Sequence, residues 1–418
     1  MSIPTERKTW HQALNVAIIV LMSIHKFNLI HSRFTLTVLF ISSTFLYLLI
    51  LTIYSNDAKR LNAKANVEQS KKIAFEVKLK QTARELEQMR NDDQFVRNEK
   101  LQADITSIEK TYGQAVKTYE LLLDLKTVAK KTVALDAAFS DSLTLLSKRS
   151  YASAEARLSK LTVDIRKEKE TILASFVIPA NLPTDNAPPS SGYRRQLVQT
   201  DIGSFMVDIV TADLNSTRVI VDTASDGDCA DNCPVLPLGA YVSRSGAYAG
   251  VNGSYFCPAS YPSCSGKTNS FDTLLMNKNK TYFNSTNNVY STVPAAIFTG
   301  NSARFVGQSL EWGRYTGIDA VIANRPLLVS SGQNVFGGSD QAKEGAKGAR
   351  SFVGASGNTA YIGVVFNATV GESAKALQTL GIQNALNLDD GGSTALWFGG
   401  YKAGPGRDLP NVVLFVRK

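Results

Sequence analysis

Residues 178–191, IPANLPTDNAPPSS, place four prolines among fourteen positions. Each proline fixes its own φ and removes a backbone donor, so the segment neither prolongs a helix nor enters a central strand. It reads as a linker, and the chain changes character across it. Upstream, the 123 residues from Ser55 to Val177 hold no proline and one glycine, Gly113. Ala, Leu, Lys, Glu and Gln dominate them, a composition that favours helix. Downstream the apolar period shortens to two, the alternation of a half-buried strand. Gly203–Val210 (GSFMVDIV), Thr217–Val221 (TRVIV), Tyr361–Phe366 (YIGVVF) and Val412–Val416 (VVLFV) are the expected strands. One helix is expected among them: Thr369 and Glu372 have the spacing of a capping box, Ala374–Leu380 supplies helix formers, and Gly381 stands where a left-handed residue is favoured. Residues 192–418 are therefore expected to form an α+β domain with a mixed β-sheet.

The helical region divides further. Asn56–Ile108 is strongly charged, with apolar residues thinly spaced at Leu61, Ile73, Phe75, Val77, Leu79, Leu86 and Met89. That is the pattern of a solvated helix or one strand of a coiled coil. Tyr119–Leu146 and Tyr151–Ile172 are richer in apolar residues, and the break at Lys148-Arg149-Ser150 predicts two helices packed as a hairpin. Residues 55–177 thus read as a helical stalk, coiled coil or hairpin, that either self-associates or acts as a spacer. Before it, Phe34–Tyr54 (FTLTVLFISSTFLYLLILTIY) runs for 21 residues without a charge, and about 20 helical residues cross a bilayer core. It reads as a single transmembrane helix. Arg7, Lys8, Lys26 and Arg33 precede it, which puts residues 1–33 in the cytoplasm and the chain after residue 54 outside it. Ala13–Ile24 is only half a span long and reads as an interfacial segment. No small-residue cleavage site follows the long stretch, so the anchor is expected to be retained.

The chain carries a net charge of +9, yet from Val177 onward it holds 18 Lys and Arg against 17 Asp and Glu. A nucleic-acid reader concentrates basic residues on its folded domain, so no nucleic-acid partner is expected. His11, His25 and His31 all precede the anchor. A Ser-His-Asp triad, a Cys-His pair and a histidine-ligated zinc are therefore excluded from the outer domain. Any acid, base or nucleophile there must be a carboxylate, tyrosine or lysine, and any metal must be held by oxygen. The four cysteines, Cys229, Cys233, Cys257 and Cys264, lack the C-x2-C spacing of a zinc knuckle. Two disulfides in an oxidising, extracytoplasmic compartment are expected, local pairs by preference, although spacing leaves three pairings open. The loop Asp222–Cys233 (DTASDGDCADNC) holds Asp222, Asp226, Asp228 and Asp231, a set that could ligate calcium. No glutamate closes it in the EF-hand manner, and a solvated, disulfide-pinned acidic loop is the preferred reading.

Two segments look built for a site. In Ala249–Cys257 (AGVNGSYFC), glycines beside Asn252 let backbones approach closely. In Ala385–Trp397 (ALNLDDGGSTALW), an apolar strand ends in Asp389-Asp390 and then Gly391-Gly392-Ser393-Thr394. A strand that delivers carboxylates into a glycine turn presents them on a rigid support; the same residues also suit an ordinary turn.

At these residues the sequence resembles the phosphodiester glycosidases related to the lysosomal uncovering enzyme, which removes N-acetylglucosamine from a phosphate on mannose. Val251–Phe256 (VNGSYF) is similar to that family's INGxYF segment, and Arg350-Ser351-Phe352-Val353-Gly354 to its R-[ST]-x-x-G segment. Thr369 through Ala374 is similar to its T-x-x-E-x-A helix, and Asn387–Ser393 (NLDDGGS) with Pro410-Asn411 to its closing NLDGGGS and PN. The similarity keeps the order of the motifs over roughly Asp201–Lys418. One residue departs: Asp390 replaces the first glycine of the triple. The resemblance implies hydrolysis of a sugar C1 to phosphate bond, with no cofactor required. Under it, Asp389 acts at C1 as base or nucleophile, Asp390 is its alternative or a partner that raises its pKa, and Arg350 grips the departing phosphate. Asn252, Gly253, Tyr255, Asn387, Gly391, Gly392, Ser393 and Thr394 are the expected substrate-binding residues, with Arg325 a second phosphate candidate. The function expected is a membrane-anchored hydrolase of phosphodiester-linked carbohydrate in an envelope or exopolysaccharide glycan. The competing reading is a non-catalytic carbohydrate-binding or envelope-assembly protein that works through its stalk.

Overall fold

The computed structural model describes residues 34–284, 292–338 and 342–418. The Ala13–Ile24 patch, the basic residues ahead of the anchor and the three histidines lie outside them. The chain divides into two compact units, Met1–Gln102 and Ala103–Lys418.

In the first unit a 58-residue helix spans Phe34–Asn91, and the next helix, Asp93–Lys126, begins. Among the described residues, the first of these is the one helix long and apolar enough to cross a membrane. Its apolar side chains from Val38 to Tyr54 are exposed, as are Leu61, Ile73, Phe75, Val77, Leu79, Leu86 and Met89 further along.

The second unit opens with the later turns of Asp93–Lys126, followed by helices Val133–Ser147 and Tyr151–Ala174. The expected hairpin is present, turning at Lys148–Ser150 with Arg149 left-handed at φ 57°. The expected single helix Tyr119–Leu146, however, breaks between Lys126 and Val133. Thr132 marks the restart: at φ −132°, ψ 11° it is outside helical geometry, its carbonyl accepts the Asp136 amide at 2.9 Å as the first bond of the new helix, and its hydroxyl donates to Asp136 Oδ2 at 2.8 Å. Leu122, Leu125, Leu161 and Ile165 bury one seam between helices, and Ala115, Leu146, Ala154 and Leu158 another. Thr118 and Thr162 hydrogen bond across the first pair at 3.0 Å.

Beyond the linker lie three antiparallel sheets. The seven-stranded sheet runs in the spatial order Gly192–Thr200, Gly203–Asp213, Thr359–Ala368, Gly348–Ser356, Asn384–Asn387, Leu327–Ser330, Gln333–Asn334. A five-stranded sheet runs Tyr401–Ala403, Leu396–Phe398, Ala249–Asn252, Asn411–Arg417, Thr217–Thr223. A second five-stranded sheet is built on Leu275–Met276, Ala295–Thr299 and Ala320–Ala323. Among the described residues the mixed sheet expected from sequence is not formed: the strand ladders are antiparallel, and parallel pairing is confined to the isolated bridge Thr184–Leu197. The capping-box helix, Val370–Thr379, shows why. It joins Thr359–Ala368 to Asn384–Asn387, which run parallel, but Gly348–Ser356 inserts between them and pairs antiparallel with each. A parallel crossover thus leaves no parallel ladder.

Alternation decides the layers. Val210, Ala212, Val353, Ile362 and Val364 of the first sheet face Val219, Val221, Val251, Val413 and Phe415 of the second in the main core. The opposite face of the first sheet, with Val207, Ile209, Phe352 and Val365, is covered by Val370, Ala374 and Leu377 of the capping-box helix. The outer face of the second sheet is covered by helix Leu238–Ser245 through Leu238, Tyr241 and Val242. The result is a helix, sheet, sheet, helix stack whose inner strand ends meet at residues 252–256 and 387–394.

Candidate active site

The strand Asn384–Asn387 leaves the first sheet and passes to the second through Leu388 and the two aspartates. Leu388 is fully buried and its amide donates to the Ser351 carbonyl at 2.9 Å. The Asp389 amide then donates to the Gly253 carbonyl at 2.9 Å, and the Gly253 amide to the Asn411 carbonyl at 3.1 Å. These bonds stitch three distant segments into one backbone surface. Gly253 is required for it: a Cβ there would lie 2.6 Å from the Asn411 carbonyl oxygen and would overlap the Asn411 amide. Gly253→Ala is therefore expected to lower stability by about 2–4 kcal/mol, read as a fall in Tm of the full chain; an unchanged Tm would show that the strands separate freely here.

Buried asparagines pin the surface from beneath. Asn252, Asn324 and Asn387 are each 0 % exposed and Asn411 is 1 % exposed. The Asn252 amide nitrogen donates to the Asp389 carbonyl at 2.7 Å, and its Oδ1 accepts from the Ser351 hydroxyl at 2.8 Å and the Ala395 amide at 3.1 Å. Asn324 donates to the Asn387 carbonyl at 2.9 Å and accepts the Tyr255 amide at 3.1 Å. Asn411 Oδ1 accepts the Ser254 amide at 2.9 Å. Asn387 Nδ2 lies 3.0 Å from both the Tyr255 hydroxyl and Asp390 Oδ2, while its Oδ1 is buried with no hydrogen-bond partner. Asn252 thus organises the backbone, and Asn387 does the same from beneath, with its Oδ1 sealed from solvent. Asn411, part of the Pro410-Asn411 motif, opens the strand Asn411–Arg417, and Asn324 follows the strand Ala320–Ala323; the bracing role of each depends on partners distant in sequence, which no local pattern records.

The two aspartates have different surroundings. Asp390 Oδ2 accepts from Arg350 at 2.9 Å and its Oδ1 accepts the Ser351 amide at 3.1 Å. Its backbone, at φ −120°, is extended, so a side chain fits where the resembled family has glycine. Burial raises its pKa against the pull of Arg350 and Asn387. Asp389 is half-buried. Its Oδ1 accepts the Asp390 amide at 2.9 Å. Burial, with a smaller contribution from the Asp390 charge, pushes its carboxyl up to about 7, against the pull of Ser393 and Arg407. Adjacent carboxyls of this kind titrate as a pair.

Arg350 differs from its expected task as a phosphate clamp. Its side chain is 7 % exposed, and its Nε donates to the Ala368 carbonyl at 3.0 Å, one terminal nitrogen to Asp390, and the other to the Ala346 carbonyl. Buried and held by three protein acceptors, this guanidinium braces Asp390 and the chain around Ala346 and Ala368. The cation at the rim is Arg407, which sequence inspection missed because a Gly-Pro-Gly turn precedes it. Its amide donates to the Gly392 carbonyl at 2.9 Å, a Cβ on Gly392 would collide with its guanidinium, and its charge acts on Asp389. Gly391, at φ 61°, is exposed on the same turn, while Ser393 and Thr394 are buried beneath it. Tyr255 sets its hydroxyl 3.0 Å from Asn387 Nδ2, and its pKa is pushed well up by burial and by both aspartates. Arg325 is exposed beyond it, and its charge acts on Asp272.

The disulfides are the local pairs, Cys229–Cys233 and Cys257–Cys264. The acidic loop does not converge. Asp222 is buried and bonded to Arg244 at 2.8 Å, Lys278 at 3.0 Å and Ser245 at 2.7 Å, and these partners overcome burial to hold its pKa below the ordinary value. Asp228 accepts the Asn284 amide and Asp231 the Thr268 amide, while Asp226 is exposed. Among the described residues, no three His, Cys, Asp or Glu side chains are placed to hold a metal.

Residues 245–416 match the family model for phosphodiester glycosidases, which supports a hydrolase of phosphodiester-linked sugars. No curated protein sequence matches the chain. Among solved structures, the zebrafish N-acetylglucosamine-1-phosphodiester alpha-N-acetylglucosaminidase catalytic domain, auto-inhibited by its pro-peptide, is similar at 16% identity and a TM-score of 0.44, over 57% of this chain and 87% of that one. A hypothetical protein from Synechocystis is similar at 14% identity and a TM-score of 0.39, over 54% of this chain and 62% of that one.

Proposed function

We propose that the cleft hydrolyses sugar-1-phosphodiesters, with Asp389 acting at the anomeric carbon and Arg407 holding the phosphate. The observation that carries this reading is the position of Asp389: a half-buried carboxyl at a strand end, with a pKa near 7 and a rim guanidinium beside it. In the reaction as written, water oxygen bonds to C1 as the C1–O bond breaks. The electron pair of that bond leaves with the phosphate monoester, and the water proton passes to Asp389. If Asp389 instead attacks C1 itself, water cleaves the glycosyl-enzyme in a second step. The anomer first released, read by proton NMR, separates the two routes. The leaving group is a stable anion, so a strong general acid is unnecessary, in keeping with a domain that has no histidine. No cofactor enters the scheme. Arg407 neutralises the phosphodiester.

The exposed apolar surface of Val38–Tyr54 and two disulfides in the outer domain support a membrane-anchored, extracytoplasmic enzyme. An envelope polymer with phosphodiester-linked sugars, such as a teichoic acid or exopolysaccharide, is the substrate class this placement suggests. Incubating the detergent-solubilised full chain with methyl N-acetylglucosamine-1-phosphate and with such polymers should release free sugar; sugar binding without release would instead favour a carbohydrate-binding protein.

Asp389 must be ionised to act as base or nucleophile. Since its folded pKa is about 7, kcat/KM should rise with pH through about 7 and level off above it. Initial rates from pH 5 to 9 measure this. A profile flat across that range would remove Asp389 from the role.

A further inference from the structure

The helices ahead of the linker touch the rim of the cleft. Asp124, in the last turn of Asp93–Lys126, accepts from the Tyr261 hydroxyl, and Glu120, one turn earlier, accepts the Ser263 amide at 3.0 Å. Tyr261 and Ser263 lie in the loop closed by the Cys257–Cys264 disulfide, and Tyr261 is only 9 % exposed. The guanidinium of Arg407 stands 5.4 Å over the Tyr261 ring, within range of a cation–π contact. Thr127 approaches the site itself: a Cβ on Gly392 would come within 3.0 Å of its methyl. Asp124 is held firmly, because its neighbours Leu122 and Leu125 are fully buried against Leu161 and Ile165. Asp124, Tyr261 and Arg407 therefore form a continuous path from a packed helix to the turn that carries Asp389.

We propose that this helical arm is a working part of the active site, in which Asp124 fixes Tyr261 and Tyr261 fixes Arg407 over the Gly391–Ser393 turn. Asp124 is then a positioning residue for the anion site, and the inference rests on the assignment of Arg407 to the phosphate. Physically, a guanidinium on a flexible stem must be immobilised before it grips an anion, and the rotamer freedom it loses weakens binding. A ring locked beneath it by a charge-assisted hydrogen bond lowers that cost. The arm also closes one side of the cleft at Thr127, so the leaving group extends away from the helices.

The test uses the full chain and two readouts: steady-state kinetics with methyl N-acetylglucosamine-1-phosphate, and the Kd of inorganic phosphate by calorimetry. Asp124→Ala and Tyr261→Phe should each raise KM and phosphate Kd together by about 5- to 10-fold, leaving kcat within twofold, and Asp124→Glu should recover part of the loss. In an Arg407→Gln background Asp124→Ala should have no further effect on phosphate, because it acts through that guanidinium. Lys110→Ala serves as the structural control. It removes the Lys110–Glu155 pair between the same helices and should leave phosphate Kd unchanged even if Tm falls. The proposal is overturned if phosphate does not bind the wild type, if Asp124→Ala leaves Kd and KM unaltered, or if its effect persists undiminished without Arg407. Phosphate binding with the expected Asp124 dependence but no sugar release would uphold the positioning path and remove the hydrolase reading.

Discussion

Asp389→Asn should abolish turnover, by roughly 10³-fold or more, while making the folded protein more stable at neutral pH. The two effects have one cause. The wild-type carboxyl titrates near 7 in the fold, against about 3.9 for an unperturbed aspartate, so between those values the native state holds more protons than the unfolded chain. Stability therefore falls as pH rises from about 4 to 7, and above 7 the full cost of ionising a crowded carboxyl is present. Asparagine keeps the shape and can still accept the Asp390 amide, but carries no charge. The expected gain is roughly 2 kcal/mol at pH 8, below the ~4 that three pH units would give, because the half-buried side chain still reaches solvent. At pH 4 the gain should vanish. Thermal unfolding of both proteins at pH 4 and pH 8, beside the rate measurement, checks this. A variant that is inactive but less stable at pH 8 would make Asp389 a structural brace.

What was legible in the sequence follows from how local each signal is. The capping box Thr369–Glu372 forms as expected, with the Thr369 amide donating to the Glu372 carboxylate at 2.7 Å and the Glu372 amide to the Thr369 hydroxyl at 3.1 Å, because every atom involved lies within four residues. The alternating strands were legible for the same reason, and Asp389 stood out because a carboxylate before a glycine turn is a contiguous pattern. Sheet direction was not legible. It depends on Gly348–Ser356 inserting between two strands joined by a helix, and nothing in either strand records that choice. The break at Thr127–Thr132 was not legible because it carries no proline or glycine; its β-branched Thr127, Val128 and Thr132 only weaken a helix. At the site, a residue's type suggested its chemistry but not its partner. Arg350 reads as a phosphate ligand until Asp390 and the Ala346 and Ala368 carbonyls occupy its three nitrogens. Arg407 carries no motif of its own, and only the fold brings it beside Asp389.

That exchange of roles sets the largest stability effect expected of a single substitution. Arg350→Gln should cost about 3–5 kcal/mol at pH 8, since removing one partner of a buried pair leaves the other's charge uncompensated. Asp390 would keep the Ser351 amide and Asn387, which do not balance a full charge in a place where solvent reaches 11 % of the side chain. Its pKa, already raised in the wild type, would climb further. The native state would then bind the extra proton over a wider range, so the penalty should shrink as pH falls and be smaller at pH 5 than at pH 8. Pairing the change with Asp390→Asn should recover much of the loss, because the double variant buries no unpaired charge. A phosphate-gripping Arg350 would behave otherwise: KM would rise, Tm would hold, and Asp390→Asn would rescue nothing. Thermal unfolding of the two single variants and the double variant at both pH values therefore separates a guanidinium that holds the floor of the cleft from one that holds the substrate.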